Sequence, residues 1–188
     1  MTKLFFEMNA YDITTRIADE GRPALVPLVH AHEVSAGGLV MQDEKVKVTA
    51  VLVRLPPVVP ALGYRFDAAD RSIVISGDTA PSDELVKLAR GADVLVHEAL
   101  HPLGVERLLA RVPNAPNLQR HLVSHHTSAE DAGRIAQPAG VKTLVLSHLV
   151  PPDDPAITEE MWIDAARRAR EPQGAPGRLS NRPGNNTR

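Results

Sequence analysis

Three apolar stretches of the sequence run directly into ionisable residues. The first leads into Asp78, the second into His97 and Glu98, and the third into His148. Buried strands ordinarily end in turn residues, and layered α/β folds place their ligands at strand ends. We therefore expect these residues to line one site at a common edge of a sheet, together with His126, which precedes a predicted helix.

The residue types indicate two kinds of chemistry. A glutamate hydrogen-bonded to a histidine can transfer protons, because the carboxylate fixes the tautomer of the imidazole and raises its basicity. An aspartate beside a histidine can bind a metal ion, and a sequence without cysteine must bind any metal through His, Asp and Glu. Taken singly, Asp78 is also typical of a turn that caps the next helix, and His148 of an ordinary strand-edge residue.

The second half of the chain is predicted to alternate strands and helices, which would position these residues. Ser82 and either Thr127 or Ser128 are helix-capping residues, and Gly91 ends the first of these helices. The predicted helices cover residues 83–90, 129–140 and 158–169, and the predicted strands cover residues 72–76, 93–100 and 141–150.

The first half contains weaker signals. Near-helical spacing of apolar residues predicts a helix over residues 4–20. Residues 24–34 and 45–53 are predicted strands, and the second is half-buried because apolar and polar residues alternate along it. Residues 63–76 are predicted to form a hairpin whose turn lies at residues 67–70.

Length and composition indicate a globular chain. It has 188 residues, 43% of them hydrophobic, and a net charge of −2, which creates no strong attraction for polyanions. No apolar run approaches the roughly 20 residues of a membrane span, and the first residues do not resemble a signal peptide, so we expect a cytoplasmic protein without a membrane segment. We expect one partial domain over residues 1–170 and a disordered tail over residues 171–188.

Five short motifs occur in a recognisable order. They are GYRF at 63–66, SGDT at 76–79, ADVLVHEA at 92–99, HTSAEDAG at 126–133 and VKTLVLSHL at 141–149. Over roughly residues 40–155 the sequence resembles the C-terminal half of metallo-β-lactamase-fold hydrolases, specifically the ribonuclease Z-like branch. The resemblance implies an α/β fold that forms part of an αββα sandwich, with mixed sheets flanked by helices.

The resemblance also implies roles for the residues at the strand ends. Asp78 would bridge two zinc ions, and His148 would be a terminal ligand of one of them. Glu98 and His126 would assist proton transfer to the leaving group, and His97 would flank the pocket. In an intact relative the metals would lower the pKa of a bridging water and so supply a hydroxide nucleophile.

The implied substrate is an ester with an anionic or polarised centre, namely a phosphodiester, a sulfate ester or a carboxylic ester. A ribonuclease Z that processes tRNA is expected to grip it with a flexible arm, whereas only a short turn separates GYRF from SGDT. We therefore do not favour tRNA as the substrate, and a small-molecule ester or phosphodiester is at least as well supported.

The sequence departs from the family pattern in its metal ligands. The HxHxDH motif is absent, because His30 and His32 lack the Asp-His that should follow, and we interpret them as residues on the solvent face of a strand. Leu55 stands where a further ligand histidine is expected. With Asp78 and His148 as ligands for two ions, we expect low zinc occupancy.

These departures leave two hypotheses open. The first is a metal-dependent hydrolase whose N-terminal half is missing from this chain, which alone would be inactive. The alternative is a metal-free, non-catalytic remnant that acts as a binding or structural subunit. In both cases a sheet without its partner strands would expose edges and an apolar face, so we expect a homo-oligomer.

Overall fold

The computed structural model describes residues 2–112 and 115–169. Its strands are β1 Gly38–Gln42, β2 Val46–Leu52, β3 Leu62–Ala68, β4 Ser72–Ile75, β5 Val94–Leu100 and β6 Thr143–Val150. Its α-helices are α1 Thr2–Met8, α2 Ala10–Glu20, α3 Asp83–Ala89, α4 Pro102–Leu109, α5 Ala115–His125, α6 Ala129–Ala139 and α7 Glu159–Arg168. The chain forms two compact units, and the boundary falls between Ser35 and Ala36.

The first unit contains α1 and α2, which confirm the predicted helix over residues 4–20. The helix is interrupted at Asn9, whose side chain donates a hydrogen bond to the carbonyl oxygen of Phe5 at 2.8 Å. Such local bonds to the backbone compete with helix continuation. α2 ends at Gly21, which has a left-handed backbone with φ of 64°.

The predicted strand over residues 24–34 is wrong. The chain instead makes a short 3-10 helix, Val26–Leu28, in which the Leu28 N–H donates to the carbonyl of Leu25 at 3.0 Å. Pro27 has no N–H to donate to a neighbouring strand, which disfavours a sheet at this place. His30 and His32, which were interpreted as lying on this strand, are exposed.

The second unit is built on one six-stranded sheet with the order β1-β2-β3-β4-β5-β6. The pairs β1–β2, β2–β3 and β3–β4 are antiparallel, whereas β4, β5 and β6 run parallel to one another. This mixed sheet with helices confirms the predicted α/β class. Because β4, β5 and β6 run in the same direction, the residues that follow or end them meet at one edge of the sheet.

The main hydrophobic core lies between the sheet and the helices α3 and α6. Val74 of β4 and Leu95 of β5 are paired in register, point to the same side and are fully buried. They are surrounded by buried apolar residues of α3, α6 and the adjoining loops: Leu85, Ala89, Ala92, Ile135, Ala136, Ala139 and Val141. This packing supports the parallel strands whose ends carry the ionisable residues.

The strands predicted in this unit are confirmed with small shifts. Val48 and Ala50 of β2 are buried, as their alternation predicts. In the β3–β4 hairpin the turn is closed by a hydrogen bond from the N–H of Ala68 to the carbonyl of Arg71 at 2.9 Å, one residue later than predicted.

The predicted helices of the second unit are also confirmed. Ser128 caps α6, because its Oγ atom accepts a hydrogen bond from the N–H of Asp131 at 3.0 Å. Ser82 precedes α3, but its side chain makes no capping bond. α4 and α5 fill a connection for which no element was predicted, and the tail at 171–188 lies outside the described residues. In the part of the chain that the structure describes, no helix has the length and apolar character needed to cross a membrane.

Candidate functional site

The ends of β4 and β6 and the loop before α6 bring three ligand-type side chains together. Asp78, His126 and His148 each present one donor atom, and the three atoms lie within 4.8 Å of one another. The Nε2 atom of His148 is 3.4 Å from Oδ2 of Asp78. The rings of His126 and His148 are 5.6 Å apart between centroids. The cluster is open to solvent at His148, whose side chain is 56% exposed.

Gly77 turns the chain out of β4 so that Asp78 stands at the tip. Its backbone is left-handed, with φ of 63°. A Cβ atom at this position would lie only 3.0 Å from the carbonyl oxygen of Leu62. Glycine meets both constraints, whereas a larger residue would have to move the turn and with it the carboxylate of Asp78.

His148 reaches the cluster through a β-bulge in β6. Ser147 pairs with Glu98 and Leu149 pairs with Ala99, so His148 has no opposing residue in β5. Its backbone is left-handed with φ of 44°, and no other non-glycine residue in the described part of the chain has a positive φ. The extra residue redirects the imidazole and returns Leu149 to the side that packs near Ala99.

Glu98 is buried beside the cluster, with 2% of its surface exposed. Its Oε1 atom accepts hydrogen bonds from the backbone N–H groups of Thr127 at 2.7 Å and Thr79 at 3.3 Å. Its Oε2 atom is 3.2 Å from Nδ1 of His126. Both carboxylate oxygens therefore have partners, which is the usual condition for burying such a group.

The contact with Glu98 determines the tautomer of His126 and shifts its pKa. Since a carboxylate accepts hydrogen bonds, the proton of the neutral imidazole lies on Nδ1 and leaves a lone pair on Nε2. The hydrogen bond with Glu98 raises the pKa of His126 against the opposing effect of burial, and the charges of Glu98 and Asp78 add to the rise. His126 can therefore bind a cation through Nε2 or, when doubly protonated, release a proton from it.

His97 lies next to Glu98 in sequence, but the structure does not bring it into the cluster. Neighbouring strand residues point to opposite faces, so His97 shares the helix-covered face with Leu95. It is fully buried, and its Nδ1 atom contacts the backbone carbonyl of Glu98 at 2.7 Å. Burial lowers the pKa of His97, and its Nε2 atom has no hydrogen-bond partner among the described residues.

The donor set of the cluster fits a divalent metal ion. One carboxylate and two imidazoles are ligand types that zinc accepts. If all three bind, one position is left for water or substrate; if His126 serves as a proton donor, Asp78 and His148 hold the ion. The sequence pointed to Asp78 and His148 as ligands and to His126 for proton transfer, whereas the structure places a nitrogen of His126 within the same cluster. The sequence does not distinguish a metal ligand from a proton donor at His126, because both roles need the same loop position.

Leu55 lies in a segment that is hydrogen-bonded to the loop after Asp78. The N–H of Arg54 donates to Oγ1 of Thr79 at 3.0 Å, and the carbonyl of Arg54 accepts from the N–H of Ala80 at 2.7 Å. Leu55 follows directly and has no donor atom to offer a metal.

Comparison with known proteins identifies the family. Residues 8–149 match the beta-lactamase superfamily domain. Ribonuclease Z of Mycobacterium tuberculosis (strain ATCC 25618 / H37Rv) is 34% identical over 152 residues, which cover 81% of this chain and 53% of that protein. Ribonuclease Z of Mycobacterium sp. (strain KMS) is 38% identical over 156 residues, which cover 82% of this chain and 52% of that protein.

A solved structure shows the same fold. The metallo-beta-lactamase fold protein YhfI from Bacillus subtilis has a TM-score of 0.52 and 19% sequence identity, and the match covers 74% of this chain and 49% of that one. The chain spans about half the length of the curated relatives described above. The resemblance inferred from the five motifs is confirmed, and the chain belongs to the beta-lactamase superfamily, with the metallo-β-lactamase fold and with ribonuclease Z among its homologues.

Proposed function

We propose that this chain carries active-site residues of a metal-dependent hydrolase that cleaves phosphodiester bonds in RNA. The observation that supports this most directly is the cluster of Asp78, His126 and His148 beside the buried Glu98. Membership of the superfamily supports metal-dependent hydrolysis. The relatives are named ribonuclease Z, which favours an RNA phosphodiester over a sulfate or carboxylic ester.

In this proposal Asp78 and His148 hold the cation, for which we favour zinc because of the mixed oxygen and nitrogen donors. A bound divalent cation supplies Lewis-acid activation of a water molecule. The carboxylate of Asp78 offsets part of the positive charge, and the bulge in β6 aims the imidazole of His148 at the same place.

His126 acts as the proton donor to the departing oxygen. Glu98 orients the ring through Nδ1 and stabilises its protonated form, in keeping with the raised pKa of His126. Because Nδ1 contacts Glu98, the proton leaves from Nε2. A positioned general acid of this kind accelerates such reactions by about 10²–10⁴-fold.

The short turn of the β3–β4 hairpin is relevant to whether the RNA substrate is tRNA. It joins the GYRF and SGDT motifs through a turn closed between Ala68 and Arg71, so no arm for gripping tRNA extends from this place. The names of the relatives nevertheless favour RNA over the small-molecule esters that the sequence pointed to. We therefore propose RNA as the substrate class without restricting it to tRNA.

Although the sequence led us to expect that the chain alone is inactive, the cluster of Asp78, His126 and His148 justifies testing the proposal in the chain alone with three variants. Zinc binding is measured by competition with a chromogenic chelator, and hydrolysis is followed on a chromogenic phosphodiester and on a labelled RNA oligonucleotide. We expect Asp78→Asn and His148→Gln to lose zinc binding and hydrolysis together. We expect His126→Gln to retain zinc binding but to hydrolyse about 10²-fold more slowly. Loss of zinc binding in His126→Gln to the same extent as in His148→Gln would make His126 a ligand instead.

The alternative is a metal-free, non-catalytic subunit with a binding or structural role. The limited set of donors favours it, because Leu55 has no donor atom and the family resemblance implies two zinc ions. This alternative predicts far less than one zinc per chain by elemental analysis and no turnover with zinc added. Zinc near one per chain, with turnover that depends on His126, would exclude it.

A further inference from the structure

One carboxylate oxygen joins the two loops that carry cluster residues. The Oε1 atom of Glu98 accepts a hydrogen bond from the N–H of Thr79, the residue after Asp78. The same atom accepts a second bond from the N–H of Thr127, the residue after His126. Glu98 is thus linked to both loops, although it is not one of the three donors of the cluster.

Buried threonines complete the connection. Thr79 and Thr127 are both fully buried, and Oγ1 of Thr127 donates to the carbonyl of Thr79 at 2.6 Å. The backbone N–H of Glu98 donates to Oγ of Ser76 at 3.0 Å, which ties Glu98 to the end of β4 as well. Hydrogen bonds to a charged group are strong where water is excluded, so this network fixes the distance between the two loops.

We propose that Glu98 is a positioning residue that sets the spacing between Asp78 and His126 by holding the backbone that follows each of them. The inference rests on the proposed function, since this spacing matters for a cluster that binds a cation. It also extends the role of Glu98 beyond its contact with the ring of His126. Glu98 therefore has two roles: it orients the ring of His126 for proton donation, and it holds the loop of Asp78, which binds the cation.

A double-mutant cycle separates the two roles. The dissociation constant for Zn²⁺ is measured in the parent chain, Glu98→Gln, His126→Ala and the double variant. Loss of an orienting group behind a metal ligand typically weakens metal binding by about 10–100-fold. We expect Glu98→Gln to weaken Zn²⁺ binding about 10-fold both with His126 present and with His126→Ala. If the effect of Glu98→Gln vanishes in the His126→Ala background, Glu98 acts through the His126 ring alone and the inference is wrong.

Amide hydrogen exchange gives a readout that needs no metal. We expect the amides of Thr79 and Thr127 to exchange about 10-fold faster in Glu98→Gln than in the parent chain, because a charge-assisted bond is replaced by a neutral one. The amide of Ala80, which bonds to the carbonyl of Arg54, is the internal reference for an intact fold. Unchanged exchange at both threonines would overturn the inference.

Two further comparisons make the test specific. Glu106→Gln removes an exposed glutamate of α4 and should change neither zinc binding nor these amides. If Glu98→Gln does not fold, Glu98→Asp retains the charge but is one methylene too short, and the same losses are expected. If the parent chain binds no Zn²⁺, the proposed function fails, whereas the exchange data still decide whether Glu98 sets the loop spacing.

Discussion

His148 is held in a backbone conformation that ordinarily belongs to glycine. Its φ is 44°, and the bulge leaves it without an opposing residue in β5. Its side chain is 56% exposed, so packing contributes little to offset the strain. What the imidazole does contact is Asp78, at 3.4 Å. The strain is accounted for if, as proposed above, the imidazole is positioned as a metal ligand.

Replacement of His148 by glycine should separate the strain from the ligand. Glycine adopts a positive φ without a steric penalty, so His148→Gly should be about 0.5–1 kcal/mol more stable to urea unfolding than His148→Ala. Both variants lack the imidazole and should bind zinc equally poorly. Equal stability of the two variants would show that position 148 is not strained in solution.

The position of the cluster residues was predictable, but their backbone geometry was not. Asp78, Glu98 and His148 follow or end strands that run parallel, so their convergence follows from the strand–helix alternation. The bulge at His148 could not be predicted, because the sequence around it looks the same as that of a regular apolar strand. For His97 a signal did exist, because strand alternation implies that it and Glu98 point to opposite faces.

Asp93 connects three elements at the end of the sheet opposite the cluster. Its Oδ2 atom accepts from the backbone N–H of Ser72 at 2.7 Å, at the start of β4, and its Oδ1 atom pairs with Lys142 just before β6. Asp93 itself directly precedes β5. The bond from Lys142 and those from Ser72 lower the pKa of Asp93 to about 2.

This pKa predicts a dependence of stability on pH. A carboxyl group whose pKa is lower in the folded state stabilises the fold above its ordinary pKa of 3.8, and this contribution is lost as the pH falls through about 2. We therefore expect the urea midpoint of the parent chain to fall over this interval more steeply than that of Asp93→Asn. Asp70→Asn, at an exposed turn position, is the control and should follow the parent. Parallel curves for Asp93→Asn and the parent would contradict the assignment.

A helix with end signals in its sequence was predictable, whereas a strand inferred from composition alone was not. The helix α6 begins at a capping serine and ends at Gly140 with φ of 66°, and both signals are in the sequence. Residues 24–34 have strand-like composition, but Pro27 cannot donate to a ladder and a strand needs a partner. A strand therefore depends on distant residues in a way that a capped helix does not.

The whole sheet has two unlike faces. One face carries α3 and α6, and the other carries a row of residues paired in register from β2 to β6: Ala50, Tyr64, Ile75, Val96 and Val145. Ala50, at the β2 end of this row, is buried, whereas Ile75 is 43% exposed and Val145 is 42% exposed. Val145 also lies on β6, which is an edge strand of the sheet. Exposed apolar residues beside an edge that pairs with no further strand among the described residues favour association with another chain.

We therefore expect the chain to form homo-oligomers through this face, and Val145→Lys should shift it toward the monomer. A lysine at an edge strand opposes pairing because its charge would have to be buried between two chains. Light scattering after size exclusion, at several protein concentrations, measures the shift. Val123→Lys is the matched control, since Val123 is 60% exposed but lies on α5. A parent chain that is monomeric at all concentrations would contradict the prediction, and an equal shift in both lysine variants would point to net charge instead of the sheet face.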